Sequence, residues 1–123
     1  MLDQTGTIGS RPCELVLNKI LDEIGDRHVV SAVMRKYNQF REGMTSLDQI
    51  QSLKHKRAML DLWRNDHIDR LDRAQESMSL IRKDTLRKSW PGGKPLPDVV
   101  YRHLRCAMVA CYRDTLRRFN DED

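Results

Sequence analysis

Apolar residues recur along this chain at three- and four-residue intervals, and no alternating pattern lasts beyond four residues. Cys13, Val16, Leu17, Ile20, Leu21 and Ile24 form one stripe, which predicts a helix over 11–24. Ser10 stands where an N-cap belongs, and Pro12 fits the first turn, where a missing N–H costs nothing. Gly25 follows the stripe at the C′ position. Asp26 then caps a second helix, 26–42, whose inward side reads Val29, Val30, Val33, Met34, Tyr37 and Phe40, with Gly43 at its end. So short a connection makes the pair an antiparallel hairpin or a sharp corner.

Ser46 opens the longest predicted element, with Gln49 as its capping-box partner. From Leu47 to Ser89 there is neither Gly nor Pro, and Leu47, Ile50, Leu53, Leu60, Trp63, Ile68, Leu71, Met78 and Ile81 recur on it. A continuous helix over 47–89 is about 63 Å long at 1.5 Å per residue, more than a domain of this size covers. It therefore bends near Arg64–Asn65–Asp66 or leaves part of its surface to another chain. Acid-before-base pairs at four-residue spacing (Asp66–Arg70, Asp69–Arg73, Asp84–Lys88) support it from outside. Trp90 to Pro97 holds three prolines and two glycines and breaks the pattern. Pro97 and Asp98 start a last helix, 97–119, with Val100, Tyr101, Leu104, Ala107, Met108, Cys111, Tyr112 and Phe119 inward. The expected fold is all-α and one domain over 11–119, with a flexible leader at 1–10 and a frayed acidic tail at 120–123.

Composition agrees. The chain has 123 residues, room for one core and not two, with 39% hydrophobic and 33% charged residues. No apolar run approaches the roughly 20 residues a membrane span needs, and Met1 to Pro12 has no signal-peptide pattern. Cys13, Cys106 and Cys111 are odd in number, and the last two diverge on one helix, which reads as reduced thiols. The net charge of +4 permits attraction to RNA or to an acidic partner, and is lower than a dedicated duplex-binding domain concentrates.

Catalytic patterns are absent. Gly92–Gly93 lies in a Pro-rich turn with no phosphate-loop continuation, and there is no Gly-x-Ser-x-Gly elbow. His103 and Cys106 have the spacing of half a zinc site, but no Cys-x-x-Cys completes it, so they read as a packed thiol beside a surface histidine. His28, His55 and His67 sit among charges and read as solvated. No enzyme activity, metal or cofactor is expected.

Two features stand out from this background. Arg102, Arg105, Arg113 and Arg117 share about a third of the last helix's circumference, which reads as a partner-binding face or an ordinary solvated one. Trp63, Ile68, Leu71, Met78 and Ile81 on the long helix exceed what three short helices cover, and are expected to carry self-association, a dimer seam or a partner groove.

The stretch Leu17–Leu47 adds a resemblance. Asn18-Lys19-Ile20 lies on an amphipathic helix that ends at Gly25. An apolar helix follows with Val29, Met34, Arg35 and, two residues on, the aromatic Tyr37; Glu42 then leads to Ser46-Leu47. In order and spacing this resembles the C proteins of paramyxoviruses, the respirovirus members above all. The resemblance implies a small basic viral accessory protein read from a frame overlapping the phosphoprotein gene. Such proteins limit viral RNA synthesis through contact with the polymerase and blunt interferon induction and signalling, in some members by gripping STAT-type transcription factors. Some aid budding. It further implies host innate-immune signalling proteins as partners, and the host cytoplasm, or the nucleus, as location. The alternative is a basic helical RNA-binding protein, such as a dimeric silencing suppressor tracking a duplex backbone with the same arginines.

Overall fold

The computed structural model describes residues 10–80 and 96–122, with side chains described over 10–77 and 96–122. Within them the chain forms α1 (Ser10–Ile24), α2 (Arg27–Ser46), a single 3-10 turn over Leu47–Gln49, α3 (Leu53–Leu80) and α4 (Asp98–Asp121). The all-α expectation holds. Residues 1–9 of the predicted leader, Ile81, the side chain of Met78 and the break from Trp90 to Pro95 lie outside the described residues, as does the predicted helix beyond Leu80; Ser10, read as leader and N-cap, is the first residue of α1.

The first corner is built as its residues dictate. Gly25 takes φ 68°, the left-handed conformation that closes a helix without Cβ strain. Asp26 Oδ1 accepts from the N–H groups of His28 (2.9 Å) and Val29 (3.2 Å), capping α2. Arg41 Nη1 donates to Glu14 Oε2 at 2.8 Å and ties α2 back to α1. The main packing surface of α1, however, is α4 rather than its hairpin neighbour.

The boundary between the second and third helices differs from expectation. Gly43 does not end α2, which runs on to Ser46, and Met44 and Leu47 are buried beyond it. Ser46 is not the cap of the long helix, because its hydroxyl donates back to the Gly43 carbonyl at 2.8 Å. The cap is Ser52, whose Oγ accepts from the His55 N–H at 3.2 Å. A 3-10 turn and an extended Ile50 separate the two helices. Residues 47–52 were hidden in a Gly- and Pro-free run because ordinary residues make this turn. The described α3 is 28 residues, about 42 Å, and passes through Arg64–Asp66 without interruption.

α4 is the centre of the fold, touching α1, α2 and α3. Val100, Leu104, Ala107, Met108, Ala110, Cys111, Thr115 and Phe119 are buried along it. Ala110 and Thr115 extend the face read from sequence, and the Thr115 hydroxyl is satisfied by donating to the Cys111 carbonyl at 3.0 Å. Opposing them are Leu17 and Leu21 of α1, Val33, Tyr37, Phe40 and Met44 of α2, and Leu60, Ile68 and Leu71 of α3. Ile68 and Leu71 are at most 1% exposed, so they are core of this chain and not a seam for a second one. Both lie in the core cluster that α3 shares with α1, α2 and α4.

The acidic tail is held rather than frayed as far as Glu122. Lys56 is 9% exposed, lies 5.1 Å over the Phe119 ring and donates to both Glu122 carboxylate oxygens at 3.1 and 3.2 Å. Arg57 Nη2 donates to Asn120 Oδ1 at 2.9 Å. A nearly buried ammonium needs an anion, and the tail supplies it.

Candidate functional site

Packing α4 against three helices still leaves one strip of it uncovered. α3 borders one side, where Asp72 accepts from the Tyr101 hydroxyl (2.6 Å) and from Arg105 Nε (3.0 Å), and where the Tyr112 hydroxyl donates to Asp61 (2.8 Å). α1 borders the other side, where the Ser10 N–H donates to Asp114 Oδ2 at 2.8 Å and so gains an anion at the start of α1. Between these borders Arg102, Cys106, Arg113, Arg117 and Asn120 face outward, with Val99 40% exposed and Val109 and Leu116 half-buried.

The four arginines predicted as one face therefore divide. Arg102, Arg113 and Arg117 share the uncovered strip. Arg105 is half-buried and belongs to the α3–α4 joint, where the hydrogen bond to Asp72 raises its pKa and outweighs the lowering by burial. Burial, then the Asp72 carboxylate, pushes the Tyr101 hydroxyl up to about 12. Spacing alone could not separate Arg105 from its neighbours, because the partner that removes it lies 33 residues earlier. Arg102 pairs with Asp98 at 3.0 Å and Arg117 with Asp114 at 4.0 Å. Both pairs are exposed and compete weakly with a partner. Arg113 makes no ion pair among the described residues.

Of the predicted self-association residues, Trp63 is half-buried: its indole N–H donates to the Phe40 carbonyl at 3.1 Å, and its ring lies against His67, tilted by 42° with 3.9 Å between centroids. Among the described residues the exposed large apolar side chains are Leu15, Val16, Leu62 and Val99, none of which sequence periodicity singled out as surface. Val16 was read as part of the buried α1 stripe; it stands at the stripe's edge and is 45% exposed.

Two chemical assignments also change. Cys106 is exposed and His103 half-buried, the reverse of a packed thiol beside a surface histidine. Among the described residues no three His, Cys, Asp or Glu side chains converge as metal ligands would. His67 is not solvated but 8% exposed, held between Trp63 and the Phe40 ring edge. Burial lowers its pKa, and Arg70 and Lys36 lower it further against the opposing pull of Asp66. The neutral imidazole is thus the form that fits the fold. An unfolded histidine titrates near pH 6.5, so the unfolded state takes up a proton first as pH falls below that value. His67 consequently stabilises the protein fully above about pH 6.5 and progressively less from there down toward its lower folded pKa. A melting temperature that falls between pH 7 and 5.5 in the native chain, with a shallower fall in His67→Gln, is the expected result; parallel curves would contradict it.

Elsewhere, Tyr37 places its hydroxyl in the core beside Glu14, without a hydrogen bond of good geometry to any described group. Burial, and then the Glu14 carboxylate, hold that phenol far above its ordinary pKa. Burial likewise raises the Cys111 thiol to about 11, which makes it inert at neutral pH. An open groove of about 330 Å³ lies at the α1–α2 corner, lined by Leu21, Asp22, Gly25, Arg27, Val30 and Ser31. No helix among the described residues is long and apolar enough to cross a membrane. By fold this is an all-α protein, with four α-helices among the described residues sharing one core. No family model, curated protein or solved structure matches the chain.

Proposed function

We propose that this chain is a protein-binding accessory module of the paramyxovirus C type, which antagonises host interferon responses and regulates viral RNA synthesis without catalysing a reaction. Its partners on this reading are the viral polymerase and host innate-immune signalling proteins, met in the host cytoplasm. One observation carries the binding part: α4, enclosed on three sides, keeps Arg102, Arg113 and Arg117 outward on a single uncovered strip. The resemblance over Leu17–Leu47 carries the viral part. Arginine suits such a role because its planar fork grips carboxylates bidentately.

The test uses the full chain with Arg102, Arg113 and Arg117 replaced together by glutamate or by lysine. Retention of the polymerase complex or of STAT-type factors should fall at least about tenfold with glutamate and a few-fold with lysine, since bidentate contacts are lost with the fork. Affinity for an RNA duplex, governed by phosphate neutralisation, should hardly differ between arginine and lysine. Undiminished retention by the glutamate variant would overturn the assignment. RNA binding tighter than any protein binding, and insensitive to lysine, would establish the RNA-binding alternative instead.

A further inference from the structure

We infer that the uncovered strip of α4 and the adjoining flank of α1 form one composite groove that receives an amphipathic helix with an apolar stripe and an acidic border, a reading that rests on the protein-binding function above and specifies its partner.

The flank of α1 is identified by its neighbours. Glu14 points to α2 through Arg41, so the Cys13 side, about 100° further round the helix, faces away from α2. The Ser10–Asp114 bond sets α1 alongside the middle of α4. Ser10 and Cys13 are three residues apart on one side of α1, so the bond to Asp114 and the packing of α1 on α4 bring the Cys13 side toward the uncovered strip. Val16 and Ile20 follow Cys13 by three and seven residues and share its flank. Val16 is 45% exposed and Ile20 half-buried. Along the strip itself stand Val99, Cys106, Val109 and Leu116. The surface thus combines exposed Val16 and Val99 and half-buried Cys13, Ile20, Val109 and Leu116 with Arg102, Arg113 and Arg117.

Charge decides the occupant. The strip's arginines span 15 residues, about 22 Å of helix, matching roughly four turns of a partner helix. An apolar stripe satisfies the valines, and carboxylates beside it satisfy the guanidinium groups. A second copy about a two-fold axis would set three arginines against three, with only Asp98 and Asp114 beside the strip to offset them. A nucleic-acid backbone offers nothing to the valines, and three cations fall short of the 6–10 phosphate contacts that a salt-sensitive binder makes.

Three probes test the groove: a stapled 18-residue Leu/Glu peptide of amphipathic pattern, a scrambled isomer of it, and an RNA duplex. Each is titrated by fluorescence anisotropy against the full chain carrying Cys13→Ser, so that Cys106 is the accessible thiol. The amphipathic peptide should bind at least tenfold tighter than the isomer or the duplex. It should slow alkylation of Cys106 several-fold. Val16→Asp and Val99→Asp, both at exposed positions, should each weaken it about tenfold with the helical circular dichroism unchanged. Equal binding of the isomer, tighter binding of RNA, an unprotected Cys106, or affinity unchanged in both aspartate variants would overturn the groove. Polymerase or STAT-type retention that still collapses with glutamate at Arg102, Arg113 and Arg117, while these peptide results fail, would remove the groove and leave the protein-binding function standing.

Discussion

Leu71→Asp is expected to unfold the chain rather than to separate two folded subunits. Leu71 has no exposed surface and lies in the cluster where α3 meets α4. Removing a buried leucine costs about 2–5 kcal/mol, and a carboxylate in its place adds the cost of taking a charge, or a proton, into an apolar site. The sum approaches the whole stability of a small domain, about 5–15 kcal/mol. Circular dichroism should show most of the helix lost, or a urea midpoint near zero. Leu62→Asp on the same helix is the matched control, since Leu62 is 60% exposed and its change should stay within about 0.5 kcal/mol. A Leu71→Asp protein of native helicity and halved mass would reinstate a dimer seam at this position.

The second large effect is expected at Gly43, where alanine should destabilise in spite of its helix propensity. In a free helix the change would gain about 1 kcal/mol. Here a Cβ on Gly43 would overlap the Trp63 indole ring. To make room the indole must leave its hydrogen bond to the Phe40 carbonyl and its contact with the His67 ring. Overpacking and one lost half-buried hydrogen bond together give an expected net loss of about 2–3 kcal/mol. Chemical denaturation reads the loss. Trp63 fluorescence, followed in a Trp90→Phe background, should report the displaced ring. Trp63→Leu should recover part of the stability in the double variant, because the two positions share one space. A Gly43→Ala protein more stable than the parent would show that the indole moves freely.

The same glycine shows why the candidate site was only partly legible. Glycine after an apolar stripe ordinarily ends a helix, and Gly25 does so with its positive φ. Gly43 has the same signature for a different reason, the close approach of a tryptophan 20 residues later. The arginine face was visible as a spacing, and Arg102, Arg113 and Arg117 keep it. Arg105 left it for Asp72, and Val16 joined the surface from a stripe that looked wholly buried. Each of these outcomes depends on a residue distant in sequence, which periodicity within one helix does not contain.

Local chemistry accounts for the all-α class, the capping of α2 by Asp26, the corner at Gly25 and most of the inward faces, because these follow from hydrogen bonds and side-chain spacing within a turn or two. The central position of α4, the covering of Ile68 and Leu71 within one chain, the anchoring of the acidic tail by Lys56 and the exact composition of the uncovered strip follow from contacts between helices. A helix carries apolar and charged residues in an order that any suitable neighbour can use, and only the arrangement of all four says which residues are left facing water.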